Sequence, residues 1–297
     1  MESKRLCIGG LGVSLVGNNS VERAMRVPGM EVFVCQEGPV DIEMRLDVPL
    51  TQPHCRLLHQ FDIVDGRRQC RFGVDAEGVY YYDFEGCGLL RYDSRRPGVV
   101  EISPMADVAV LRFALWSAYS IAGLHFGAVP VHSSVVVYTP PSLRDTSPKT
   151  GEESSAVMCL GESGTGKSTH TRLWLNNIPN THLLNDDSPI VRFSDGEVRV
   201  YGSPWSGKTD CYLQESHPIA GLLRLEQRKE NTIRRLGVVE SFAALQPSCP
   251  PCMAREERCM DRLVAFISNV IERVPVYRMG CLPDADAARL SYQTIIA

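Results

Sequence analysis

Short runs of alternating hydrophobic and polar residues fill the first hundred positions, and this pattern is typical of β-strands. The clearest runs are 31–35, 41–46, 69–74 and 78–84. The last two flank a short polar turn, which indicates a hairpin. We therefore predict a small antiparallel β-rich module over residues 1–103. It carries no cluster of acids, histidines and nucleophiles, so we interpret it as a packing or partner-docking layer.

A longer apolar run begins after Pro104 and continues to Leu124, interrupted by Arg112. Proline is compatible with the first turn of a helix. The run is shorter than the roughly 20 residues that a bilayer span needs. We predict a buried helix over 104–124 and no membrane partner.

Two apolar strands are predicted to frame a polar loop in the middle of the chain. The strands are 129–138 and 156–160, and the loop is 139–155, rich in proline, serine, threonine and charge. Such a composition buries little and favours a flexible, solvated loop. These elements belong to a predicted second domain over 104–297.

The second of these strands leads directly into a match to the phosphate-loop pattern G-x-x-x-x-G-K-[ST]. The predicted nucleotide-binding residues are Gly161, Glu162, Ser163, Gly164, Thr165, Gly166, Lys167, Ser168 and Thr169. Glycines let successive N–H groups point at phosphate oxygens, the lysine adds positive charge, and the serine hydroxyl can ligate Mg²⁺. A helix predicted over 167–177 would direct its positive end at the same phosphates.

A pair of acids follows the next predicted strand, 181–184. Asp186 and Asp187 at this strand end are placed to hold Mg²⁺ near Ser168 and to accept a proton from an attacking hydroxyl. The alternative is that the aspartates cap a turn before Ser188-Pro189. Beyond them, 190–193 and 197–201 predict an antiparallel hairpin, so the fold class is α/β with a mixed, α+β-like sheet.

These residues resemble the HPr kinase/phosphorylase family, within the carboxykinase-like group of phosphate-loop proteins. The features in order are His132 on a strand, the glycine loop, a short helix and the acid pair. The segments 219–227, 230–236 and 274–284 resemble a strand pair and tail of the family's smaller relatives. The resemblance covers about residues 105–297.

The resemblance implies a carboxykinase-like phosphate-loop domain, kinase activity, and ATP and Mg²⁺ as cofactors. It implies catalytic roles for Lys167, Ser168, Asp186, Asp187 and His132, with Ser168 and Asp187 as metal ligands. From the residues alone, a lone histidine on an apolar strand is better explained as a core residue, and the resemblance is what makes His132 a candidate. Ser133 stands where the family has glycine, so neither HPr as substrate nor the reverse reaction is carried over.

A turn after the predicted hairpin supplies further candidates. Trp205, Ser206, Gly207 and Lys208 are predicted to bind the substrate, with Lys208 stabilising the transferred charge and Trp205 lining the acceptor pocket. The alternative is a surface turn with Trp205 in the core.

The pattern of cysteines in the sequence argues against disulfide bonds and against a metal site. Eleven cysteines are scattered unevenly, which fits reduced thiols and a cytoplasmic location. The C-x-x-C pair Cys249 and Cys252 lacks the second pair or histidines of a zinc site. We interpret it as a loop before a helix over 255–272.

The net charge of −4, without a basic tract, argues against nucleic acid as a partner. The leading hypothesis is a kinase that transfers the γ-phosphoryl group of ATP to a hydroxyl of a peptide, a protein serine or a metabolite. The alternative is a non-catalytic ATP-binding regulatory module. A carboxykinase is less supported, since clustered arginines with a metal-ligating histidine and lysine are not evident. The chain is compatible with a homo-oligomer.

Overall fold

The computed structural model describes residues 2–64, 66–143 and 153–297. The chain divides into two compact units. The first unit is Met1–Ala128 with Pro251–Leu263, and the second unit is Val129–Pro250 with Val264–Ala297. The sequence-based division after residue 103 places the apolar helix with the second domain, whereas contacts place it in the first unit.

Within the described residues, the strands are β1 (Glu2–Ile8), β2 (Leu11–Gly17), β3 (Ile42–Arg45), β4 (Arg56–Ile63), β5 (Arg68–Val74), β6 (Tyr80–Asp83), β7 (Leu89–Tyr92), β8 (Val99–Ile102), β9 (Ala128–Pro130), β10 (Ser133–Tyr138), β11 (Ser155–Leu160), β12 (Thr181–Asn185), β13 (Ile190–Ser194), β14 (Glu197–Tyr201), β15 (Ser216–Gln227), β16 (Thr232–Arg235) and β17 (Val276–Cys281). The α-helices are α1 (Asn19–Met25), α2 (Val108–Gly123), α3 (Lys167–Asn177), α4 (Val238–Leu245), α5 (Glu257–Arg273) and α6 (Ala285–Ile295).

The sheet of the first unit has the strand order β1-β2-β3-β8-β7-β6-β5-β4. The predicted β5–β6 hairpin is confirmed, with Val74 opposite Tyr80. The prediction of a purely antiparallel module is wrong, because β3 pairs parallel with both β2 and β8. The chain crosses from β2 to β3 through α1, and such a long crossover allows parallel pairing.

Of the segment 31–35, predicted as a strand, residues 31–33 lie in a 3₁₀ turn at Met30–Phe33, and Val34 forms an isolated bridge with Leu6. Gly29 enters this turn with φ of 86°. Met30 and Phe33 are three residues apart, lie on one side of the turn and are each 1% exposed. The buried apolar residues are therefore three positions apart, as in a 3₁₀ turn. The predicted strand would have placed them two positions apart.

The apolar helix α2 begins later than predicted, at Val108 rather than at Pro104. The Asp107 side chain accepts hydrogen bonds from the backbone N–H of Ala109 and of Val110 and so fixes the start. Residues Val108–Phe126 are long and apolar enough to cross a membrane by length and composition, but 67% of the apolar window is buried inside the protein. That burial is typical of a core helix.

The sheet of the second unit has the order β12-β10-β11-β15-β14-β13-β9, and β17 lies on β15 with β16 beyond it. β11–β15 and β15–β17 are parallel, whereas β10–β11 and β13–β14 are antiparallel. The protein is therefore a mixed α/β structure with mixed sheets. The predicted pairing of the strands near 219–227 and 230–236 is wrong, because β17 separates β15 from β16.

The predicted strand 129–138 is split between β9 and β10. At the break, the Val131 N–H donates to Pro189 O (3.0 Å) and the His132 N–H donates to Ser248 O (2.7 Å). Because of this break, His132 lies outside both strands, and its side chain is 45% exposed. Of the predicted loop 139–155, residues 144–152 lie outside the described residues.

The helix α3 coincides with its predicted range and packs into the core of the second unit. Its Trp174 is fully buried against Val136, Cys159 and Leu223. The helix α5 also confirms its prediction to within two residues at each end. Packing of α3 fixes the position of the loop that precedes it.

Candidate functional site: a glycine loop beside an acid pair

The glycine loop connects β11 to α3 in a conformation that requires its glycines. Gly161, Gly164 and Gly166 have φ of 155°, 82° and 104°. A Cβ atom at Gly161 would also collide with the Thr165 hydroxyl oxygen. That hydroxyl donates to Glu162 O at 2.8 Å and closes the loop. The sequence pattern therefore corresponds to a real backbone cradle.

Helix α3 presents an open N-terminus next to this cradle. Gly166 occupies the N-cap position and provides no side-chain cap. Ser168 and Thr169, in the first turn, are exposed. Uncapped N–H groups and the helix dipole together favour an anion here.

The Lys167 side chain is folded back over the loop and is only 7% exposed. Its Nζ donates to Gly161 O (2.8 Å) and Glu162 O (3.1 Å) and lies 2.9 Å from Nε2 of His132. Burial lowers the pKa of this lysine, and the nearby Asp187 carboxylate opposes that shift. Uncharged acceptors therefore hold the lysine side chain at the loop, and a bound anion would replace them.

His132 connects the lysine to the acid pair. Its Nδ1 lies 3.3 Å from Oδ1 of Asp187, and its other nitrogen faces Lys167. The structure therefore brings together three of the predicted catalytic side chains in one chain of contacts. The carboxylate of Asp187 is one-third exposed and accepts a hydrogen bond from the Ser188 hydroxyl.

The neighbouring Asp186 faces a different way. Its Oδ1 accepts from the Ser206 hydroxyl (2.7 Å) and the Gly207 N–H (2.8 Å), and its Oδ2 accepts from the Thr209 N–H (3.0 Å). It is 8% exposed. Asp186 thus anchors the segment 202–215 that joins β14 to β15, which we call the connecting segment.

Asn185 holds the acid pair in place, and sequence reasoning missed it. Its Oδ1 accepts from the N–H groups of Asp187 (2.9 Å) and Ser188 (3.0 Å), while its Nδ2 faces Ser203 O (3.4 Å) and Trp205 O (3.5 Å). It is fully buried. The turn before Pro189 is therefore organised by the asparagine, and an Asx-turn signature at 185–188 was its sequence signal.

The residues predicted to bind the substrate lie in different environments in the structure. Ser206 and Gly207 contact Asp186, and Lys208 is exposed on the connecting segment. Trp205 is 1% exposed, so it packs in the core instead of offering a surface to an acceptor. This burial agrees with the alternative interpretation, a turn with Trp205 in the core.

A cavity of 410 Å³ opens beside the glycine loop. It is lined by loop residues and by Thr169, Leu173, Gln227, Cys281, Leu282 and Pro283. Gln227 also donates to Gly164 O at 3.1 Å. The volume and the mixture of apolar and polar walls suit a small organic ligand held next to the cradle.

Arginines on and near β15 add positive charge that the sequence analysis did not assign. Arg224 lies 3.7 Å from the Glu162 carboxylate and lowers the pKa of Lys167 further. A second cavity of 970 Å³ is lined by Arg228, Arg234 and Arg278 among others. An arginine within the apolar run Leu222–Leu225 was the available signal for Arg224.

The two thiols of the C-x-x-C pair are both buried. Cys249 and Cys252 are buried free thiols, in keeping with their interpretation as part of a loop. Burial raises the pKa of Cys249 to about 12 and that of Cys252 to about 11. Protonated buried thiols are chemically inert.

No protein-family model and no curated protein matches this chain.

Proposed function

We propose that the protein is an ATP- and Mg²⁺-dependent kinase of the carboxykinase-like phosphate-loop group, similar to HPr kinases, which phosphorylates a hydroxyl of a peptide, protein serine or metabolite. The observation that supports this most directly is the contact chain from Asp187 through His132 to Lys167 beside the glycine loop. It combines a proton acceptor with a phosphate-binding cation, as phosphoryl transfer requires.

The cradle and the adjacent cavity would hold the nucleotide. Backbone N–H groups of the loop and of the first turn of α3 would bind the phosphates, and Lys167 would exchange its carbonyl partners Gly161 and Glu162 for phosphate oxygens. The 410 Å³ cavity beside Gly164–Gly166 is large enough for the nucleoside.

The donor set at the site fits Mg²⁺, which prefers oxygen ligands. The exposed Ser168 hydroxyl would hold it directly and the Asp187 carboxylate would hold it through a water molecule, which leaves that carboxylate able to accept a proton. When bound, Mg²⁺ neutralises charge on the phosphates.

Asp187 would act as the general base. The acceptor oxygen bonds to the γ-phosphorus, its proton passes to the Asp187 carboxylate, and the bond from the γ-phosphorus to the bridging oxygen breaks to release ADP. His132 holds Oδ1 of this carboxylate in position, while Lys167 and Arg224 stabilise the negative charge of the transferred group.

The test is incubation of the protein with Mg²⁺ and γ-labelled ATP, with panels of serine-containing peptides and hydroxylated metabolites. We expect label on an acceptor with the wild type and loss of that label with Asp187→Asn. Asp195→Asn, an exposed aspartate in the turn between β13 and β14, is the matched control and should retain activity. Stoichiometric ATP binding without transfer to any acceptor or to water would instead support a regulatory nucleotide-binding module.

Nucleotide binding is tested separately by calorimetric titration. Lys167→Ala should weaken ATP binding at least about tenfold, because a charge-assisted phosphate contact contributes about 1.5–3 kcal/mol. Lys4→Ala, an exposed lysine of the first unit, should not. Equal affinity for the two variants would contradict the assignment of the glycine loop as the phosphate site.

A further inference from the structure

Two histidines and a glutamate meet at one point of the second unit, outside the kinase site. His182 lies on β12, Glu215 closes the connecting segment, and His217 lies near the start of β15. The Nε2 atoms of His182 and His217 are 3.0 Å and 3.1 Å from the same Glu215 oxygen, Oε2. Potential ligand atoms from the three side chains all lie within 4.8 Å of one another.

This convergence has the dimensions of a metal site. Ligand atoms around a tetrahedral zinc ion, with metal–ligand bonds of about 2.0–2.2 Å, are separated by about 3.4 Å. The two histidine–carboxylate separations are within half an ångström of that value. The imidazole rings meet edge to face, at 69°, with their centroids 6.0 Å apart, so both nitrogens can turn towards a common ion.

We propose that His182, Glu215 and His217 form a site for a divalent transition metal, with Zn²⁺ as the best match. Two imidazole nitrogens and one carboxylate oxygen favour Zn²⁺ over Mg²⁺, which prefers oxygen ligands in octahedral geometry. His182 and Glu215 remain 39% and 43% exposed, which leaves an entry path and a fourth position for water.

The surroundings support a bound cation. Arg199 donates to Ser216 O (3.2 Å) next to the ligands, but its guanidinium is paired with the Glu153 carboxylate. The positive charge beside the site is therefore neutralised. The Gly202 N–H donates to Glu215 O (3.0 Å), which fixes the backbone of the carboxylate ligand.

The site would fasten the connecting segment to β12. Asp186 holds the middle of this segment through Gly207 and Thr209, and a metal at Glu215 would hold its C-terminal end against His182. This is a structural role, and it does not rest on the proposed kinase activity.

The test uses tag-free, chelator-treated full-length protein titrated with Zn²⁺ against a chromophoric competitor. We expect one equivalent to bind, with a rise in the melting temperature. Affinity should fall about 100-fold or more in His182→Ala and in Glu215→Gln, as loss of a ligand is at least as costly as loss of its supporting contacts. His54→Ala, an exposed histidine of the first unit, should bind Zn²⁺ as the wild type does.

A second measurement on the unaltered chain guards against misfolded variants. Co²⁺ bound in place of Zn²⁺ should give the intense visible absorption of a tetrahedral ion, and excess Zn²⁺ should abolish it. Absence of stoichiometric Zn²⁺ binding, or binding that His182→Ala and Glu215→Gln leave unchanged, would overturn the proposal and show adventitious binding only.

Discussion

Asp186 and Asp187 are adjacent in the chain, but their carboxylates have separate partners. Asp186 accepts three hydrogen bonds from the connecting segment, whereas Asp187 contacts His132 beside the glycine loop. Three of the roughly four acceptor positions of the Asp186 carboxylate are therefore occupied, which leaves little room for an acceptor hydroxyl to approach it. In the proposed kinase, we therefore assign proton transfer to Asp187 and a positioning role to Asp186.

This division predicts different kinetic effects for the two acids. Asp187→Asn should lower kcat by about 100- to 10,000-fold, the usual contribution of a general base. Asp186→Asn keeps one acceptor but turns an amide donor towards the Thr209 N–H, so it should mainly raise KM for the hydroxyl acceptor. Steady-state kinetics of both variants make the comparison, and equal losses of kcat with unchanged KM would contradict it.

Asn185 should matter for stability although it does no chemistry. Asn185→Ala removes the acceptor of the Asp187 N–H, whereas the Ser188 N–H keeps Trp205 O as a second acceptor at 3.2 Å. An unsatisfied group costs about 1–3 kcal/mol, so we expect the free energy of unfolding to fall by about that amount. Urea denaturation measures this, with Asn269→Ala as control, since the half-buried Asn269 side chain bonds only with Ala265 O and Arg273 of its own helix among the described residues.

At the scale of elements, α3 is attached to α6 by a buried polar cluster. The Trp174 indole N–H faces both Ser291 Oγ (2.8 Å) and His170 Nε2 (3.3 Å). Because indole nitrogen can only donate, a proton on this histidine nitrogen would face another donor. Burial lowers the pKa of His170 to about 4.

The cluster predicts that stability falls on acidification. Above pH 6.5 the histidine is neutral in both states, and between pH 6.5 and about 4 only the unfolded chain binds the proton. The free energy of unfolding should therefore decrease by about 1.4 kcal/mol per pH unit from this group as pH falls through that window. Urea denaturation at pH 7 and pH 5 measures the change. His170→Gln should reduce the slope, and His54→Gln should leave it as in the wild type.

Local patterns predicted the elements better than their partners. Periodicity located α3, α5 and the β13–β14 hairpin, because each is defined by contacts between near neighbours in sequence. It did not reveal that β17 separates β15 from β16, since strand neighbours are chosen by burial across the whole sheet. The 3₁₀ turn at Met30–Phe33 was mistaken for a strand because four residues are too few to distinguish the two spacings.

The candidate site was predictable to a similar extent. Glycines with positive φ and the loop lysine have a fixed spacing, so the sequence located them. Asn185 and Arg224 were missed because their importance comes from where the fold directs their side chains. The metal cluster was missed for the same reason, as His182 and His217 are far apart in sequence.

At the scale of the whole molecule, all eleven cysteines are free thiols. Cys70, Cys159, Cys249, Cys252 and Cys259 are buried, and the other six are half-buried. Burial raises the pKa of the buried thiols, which keeps them protonated and unreactive.

Thiol labelling should therefore proceed in two stages. The native protein should leave the five buried thiols unmodified, and unfolding in the absence of reductant should expose all eleven. Mass spectrometry after alkylation counts and locates them. Fewer than eleven labelled sites after unfolding, or rapid native labelling of Cys249, would contradict the structure.

The anchoring of the connecting segment has a consequence for how acceptor preference can change. Two of the three donors to Asp186 are backbone N–H groups, at Gly207 and Thr209, which most side-chain substitutions preserve. Lys208 and Asp210 lie exposed between and beyond these anchors. Natural drift or a designed library can therefore vary these two positions while the connecting segment keeps its backbone conformation. In the proposed kinase, the segment would offer a variable surface for recognising the acceptor beside a constant site for phosphoryl transfer.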